Sequence, residues 1–222
     1  MRTISATTSI TKRRLVAVAG IAMLAVPLAA CGSSSSDSGA PQPVARVDSL
    51  TGDTTAIALD KGFTDALTSL KLTAGTVGTA KLQNGSLIFP ITGGSVRVFK
   101  KGEVVPYVIG EIQHEGSGLS LSAGGTKVEL TNFNVDPGVQ RVYGDVTVNG
   151  KVAATSAYLF TLDGATLKPL TTSGDTATLT GTQVEISPVA APLLDSTFGT
   201  DAVKPGLLVG IATITLNTTP GK

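Results

Sequence analysis

From about residue 80 onward, apolar and polar residues alternate in short runs broken by glycine-bearing turns, the period-two pattern of half-buried strands. Four turn signals punctuate it: Asn84-Gly85 in AKLQNGSLIFPI, Gly124-Gly125 in LSLSAGGTKVEL, Asn149-Gly150 in DVTVNGKVAA and Asp163-Gly164 in FTLDGATLKPL. Such dipeptides supply the positive φ angles that tight hairpins require. SVRVF, VVPYVIGEIQ, TATLT, TQVEIS and VGIATITL lie among them, so about ten short strands are predicted. The fold class is mainly β, an antiparallel β-sandwich or barrel. Alternation nominates Leu87, Phe89, Val96, Val128, Leu130, Phe133, Val146, Phe160 and Ile214 as core.

Two stretches carry a helical period instead. In TTAIALDKGFTDALTSL, Leu59, Phe63, Leu67 and Leu70 recur at steps of four, four and three, which predicts an N-terminal amphipathic helix capped by Asp53 or Thr54. Gly62 weakens it by about 1 kcal/mol relative to alanine. Near the C-terminus, SPVAAPLLDSTFG offers Ser187 as N-cap, Pro188 as the first helical residue and Gly199 as a stop, a short helix. GLLVGIATITL then returns to the core as a strand.

The first thirty residues have a different pattern. Lys12-Arg13-Arg14 precede LVAVAGIAMLAVPLAA, sixteen residues without a charge, which is short of the roughly 20 that span a bilayer as a helix. Residues 1–30 read as a cleaved signal peptide, exported by the general secretory or the twin-arginine route. Its end, Leu28-Ala29-Ala30-Cys31, resembles the lipobox of bacterial lipoproteins. That resemblance implies lipidation of Cys31 and an extracytoplasmic domain held on the cell membrane. Several acyl chains, each CH₂ contributing about 0.8 kcal/mol when buried, hold such a protein firmly. Residues 31–49, rich in Ser, Gly and Pro, read as a flexible tether, and 50–218 as one β-rich domain.

Composition narrows the function. Apolar residues make up 41% of the 222-residue chain and charged residues 15%, a profile of secreted β-proteins. Taking the four leader bases from 17 Lys and Arg leaves 13 against 16 acids, and no basic patch suited to nucleic acid is visible. One His and one Cys are too few for a zinc site, so no metal and no cofactor are assigned. No G-x-S-x-G elbow, P-loop or dinucleotide fingerprint occurs.

The candidate ligand-binding residues are His114, Tyr107, Tyr143 and Tyr158. In GEIQHEGSG, His114 shares a strand face with Ile112. This suits either a core-edge histidine bonded to a neighbour or a ligand or proton-transfer group. Each tyrosine combines a broad apolar face with a polar tip, suited to a sheet margin or to a contact surface.

GEIQHEGSGLSL, LTNFNVD, LFTLD and LLDSTFGTDAVKPGLLVGIATI together resemble a group of secreted actinobacterial β-proteins with no assigned activity, over most of residues 58–216. More distantly, LDKGFTDALTSL and the layout after it resemble the HtaA-type haem-uptake domain, which binds haem through a tyrosine near the end of that segment. Leu70 falls at the tyrosine position, and Lys61 stands where a tryptophan is usual near Leu59. The resemblance implies the architecture without its axial donor. The expected function is a non-catalytic, lipid-anchored surface domain with a binding or structural role. The partners are the membrane, through Cys31, and an unidentified surface or small-molecule ligand. A haem or small hydrophobic ligand carrier is the alternative, and a hydrolase the third reading.

Overall fold

The alternating segments do become strands, and their inward side chains build one core. The computed structural model describes residues 39–50 and 52–217; the leader and Cys31 lie outside them. In chain order the elements are β1 (Ala45–Val47), β2 (Thr54–Leu59), α1 (Lys61–Ser69), β3 (Thr73–Gly78), β4 (Lys81–Gln83) and β5 (Ser86–Pro90). Next come β6 (Gly93–Val98), β7 (Val108–Ala123), β8 (Thr126–Asp136), β9 (Arg141–Val148) and β10 (Lys151–Asp163). The last are β11 (Thr171–Ser173), β12 (Thr176–Ile186), α2 (Ala190–Phe198) and β13 (Leu208–Asn217).

All of these strands join one antiparallel sheet in the order β1-β6-β7-β8-β9-β10-β12-β13-β2-β5-β4, with β3 on β7 and β11 on β12. The sheet is curled into a half-barrel with two helices. Bulges drive the curl, because each adds a residue to one strand and sharpens the local twist. They interrupt the register between His114 and Gly118, between Thr131 and Asn134, and between Ala154 and Ala157. Side chains meet the amides released there. Asn132 Oδ1 accepts from Gly116 N at 2.9 Å, and Asp145 accepts from Ser156 N at 3.0 Å and from Asn132 Nδ2 at 2.9 Å.

Eight of the nine nominated core residues are buried, and Ile214 is half-buried against the same core. Three turn signals form the hairpins β4–β5, β7–β8 and β9–β10. Asp163-Gly164 does not. Asp163 Oδ1 accepts from Ala165 N at 2.9 Å and starts a single 3₁₀ turn that leads away from β10.

The N-terminal helix is shorter than its apolar period suggests. Thr54–Leu59 is a strand, paired with β13 and β5, and Asp60 caps α1 by accepting from Gly62 N at 2.7 Å. The physical reason is non-local: β13 and β5 pair with both edges of TTAIAL, and Thr55 and Ile57 turn inward. Helix α2 begins at Ala190 rather than at Pro188, because Pro188 and Val189 form a turn first, and its other signals hold. Ser187 Oγ accepts from Val189 N and Ala190 N, and Gly199 ends the helix at φ 65°. Ala45–Val47, in the stretch read as the tether's end, adds to β6.

Candidate functional site

Where a curled sheet is wider than its side chains fill, a void remains along its axis. Here it is an apolar cavity of about 100 Å³, lined from eight strands and three loops. Phe89, Phe133, Val142, Phe160, Leu162 and Val184 form much of its wall. Its loop end is bordered by Pro106 and Tyr107 before β7, Pro137 and Gln140 between β8 and β9, and Gly164 and Leu167 after β10. Polar side chains in the lining are few: Thr55, Tyr107, Gln140 and Thr182. A mostly apolar wall with sparse polar groups is the usual character of small-molecule sites.

Phe160 and Leu119 also line a second void, of about 40 Å³, on the helix side. Its walls come from α1 and α2 (Phe63, Leu67, Leu194), from Leu70 just after α1, and from the sheet and the segment after α2, and every lining side chain is apolar. A third hollow, of about 460 Å³, is a polar surface site at the bulge row. Its side chains largely satisfy one another: Asn132 bonds Asp145, and Asn134 and Gln113 both bond Glu111.

The structure does not gather the four nominated residues into one site. Tyr107 stands at the cavity's loop end, its hydroxyl donating to Leu167 O at 3.1 Å, and burial pushes its phenol pKa up. Tyr143 and Tyr158 face each other across β9 and β10, ring centroids 6.0 Å apart, on the side of the sheet away from the cavity. The Arg141 guanidinium lies 4.5 Å from the Tyr158 centroid, a cation–π contact.

His114 is buried, only 1% exposed. Its Nδ1–H donates to Pro90 O at 2.9 Å, and its Nε2 accepts from the Thr55 hydroxyl at 3.2 Å. Both nitrogens are therefore engaged by the fold. The nearby Ser117 hydroxyl donates to the backbone carbonyl of His114 rather than to its ring. Burial pulls the imidazole pKa below its usual value, opposed by the Pro90 bond. As pH falls, the unfolded chain takes up this proton first, so unfolding is favoured progressively below about 6.5. Urea midpoints from pH 8 to pH 5 are expected to fall more steeply for the native chain than for His114→Gln. Parallel slopes would show that another group governs acid stability.

Sequence reasoning missed the void itself. Alternation names the residues that point inward, but the space left between them depends on how eight strands curl together.

No protein-family model matches the chain, and no curated protein matches it in sequence. Solved structures do match. The C-terminal domain of HtaA from Corynebacterium glutamicum superposes with a TM-score of 0.53 at 14% identity, covering 76% of this chain and 98% of that one. This chain shares that domain's fold. The heme-binding protein HtaB of the same organism gives 0.45 at 12% identity, covering 78% and 96%. The N-terminal domain of HtaA gives 0.46 at 11%, covering 77% and 99%. Among the described residues no group of three His, Cys, Asp or Glu side chains could hold a metal, and no helix is long and apolar enough to cross a membrane.

Proposed function

We propose that this chain is a lipid-anchored, extracytoplasmic carrier that holds a slender apolar ligand inside the half-barrel. The observation that carries the reading is the apolar axial cavity bordered by three loops. Its volume is of the order that admits a single small ring or a short stretch of hydrocarbon chain. Pockets for drug-sized molecules run to about 300–1,000 Å³, so an acyl-type chain fits better than a broad macrocycle. Titration with a fluorescent medium-chain fatty acid tests this. Saturable binding of one probe per chain is expected, and emission that only rises linearly with added probe would contradict it.

Anchoring rests on Leu28-Ala29-Ala30-Cys31. Cys31→Ser removes the thiol to be acylated, so the variant should leave the detergent phase and lose labelling by a fatty-acid probe. Unchanged labelling would remove the anchor from the account.

The non-catalytic reading is supported by His114, which is buried, does not line the cavity, and has both ring nitrogens engaged by Pro90 and Thr55. Haem is the ligand that the fold neighbours bring to mind. Haem iron needs an axial donor atom, and Leu70 and every other side chain lining the void between the helices and the sheet lack one. Haem titration is therefore expected to give no saturable Soret shift. A one-to-one spectrum lost in His114→Ala or Tyr107→Phe would overturn this and make haem the ligand.

A further inference from the structure

Six large apolar side chains are well exposed among the described residues, and three of them sit at one end of the half-barrel. Val105, 89% exposed, is two residues before Tyr107; Val139, 53% exposed, lies between Pro137 and Gln140. Both therefore project from loops that border the cavity. Val44, 65% exposed, is bound to the same corner, because Val44 N donates to Val98 O at 2.7 Å and Phe99 N donates to Tyr107 O at 2.7 Å. The chain thus enters the domain, through the first described residues, beside the cavity's loop end.

The loops and strand ends here carry Lys100, Lys101, Arg141 and Lys168 as well as Glu103, Asp136 and Asp163, a nearly balanced set. Glu103 is paired with Lys100 at 3.6 Å, while Asp136 and Asp163 each accept a backbone N–H of their own turn. Lys101 Nζ stands 5.8 Å from the Tyr107 centroid, at the cavity border. Exposed aliphatic tips with lysines such as Lys101 nearby suit a lipid–water interface, where the tips enter the acyl layer and the ammonium groups meet anionic headgroups.

We infer that this loop end docks on a lipid bilayer, with Val105 and Val139 entering it, so that an acyl chain passes between bilayer and cavity without crossing water. The inference rests on the anchored-carrier reading. The described chain begins at residue 39 and reaches Val44 at this same corner, so a flexible tether from the proposed acylated Cys31 would let this face meet the membrane.

The test places an environment-sensitive fluorophore on single cysteines in the full Cys31→Ser chain, at Val105→Cys, Val139→Cys or Val152→Cys. Val152 is equally exposed in kind but pairs with Thr147 at the opposite end of β9 and β10. With vesicles of equal phosphatidylcholine and phosphatidylglycerol, probes at 105 and 139 should shift to the blue while the probe at 152 stays unchanged. The 105 and 139 shifts should shrink at high salt and in the Lys101→Glu variant. An equal response at 152, or none at 105 and 139, would overturn the inference. Fatty-acid binding measured in vesicle-free solution separates the two ideas: if it persists while the vesicle response fails, only the docking is wrong.

Discussion

Phe160→Ala is expected to lower folding stability by about 3–5 kcal/mol, the cost of truncating a buried aromatic side chain. Phe160 is buried and packs edge-on against Phe133, centroids 5.9 Å apart, which in turn meets Phe89 at 5.3 Å. Such aromatic pairs add to stability beyond the area they bury. Phe160 also stands between the axial cavity and the void on the helix side, since it lines both. Its loss would therefore join the two spaces as well as loosen the core. Urea denaturation reads the first effect, and binding of bulkier apolar probes reads the second. A loss below about 1 kcal/mol would mean that the side chain is less well packed than its burial implies.

Ala212→Phe should abolish ligand binding while leaving the fold intact. Ala212 is buried on β13 and its methyl lines the cavity. A phenyl ring there occupies the space assigned to the ligand. Overpacking costs about 1–3 kcal/mol in a filled core, and the existing void reduces that here. Fatty-acid affinity should fall at least tenfold, or about 1.4 kcal/mol, with a urea midpoint close to that of the native chain. Unchanged affinity would place the binding site elsewhere.

Much of this architecture was legible because local chemistry and tertiary structure agree. Asn84-Gly85 and Asn149-Gly150 adopt positive φ at both residues and make the hairpins their sequence implies. The Ser187 hydroxyl caps the start of a helix, and Gly199, lacking a Cβ, ends it in the left-handed conformation. Disagreement arose where partners distant in sequence decide. TTAIAL contains good helix formers and continues the apolar period of α1, yet pairing with β13 and β5 makes it a strand. Asp163-Gly164 has hairpin chemistry, but Asp163 bonds its own turn and the chain leaves β10. The candidate site was less legible. Tyr107 was visible as a residue, but its place at a cavity border follows from three loops that meet only in the fold.

The central claim is that a slender apolar molecule occupies the axis of the half-barrel. Isotope-filtered nuclear Overhauser contacts between an added medium-chain fatty acid and the protein's methyl groups test it most directly. The account predicts contacts from the acyl chain to Val142, Leu162 and Val184, all in the cavity wall, with the chain's carboxylate end nearest Tyr107. Contacts confined to outward residues such as Val152, or none to these methyls at saturating ligand, would contradict it.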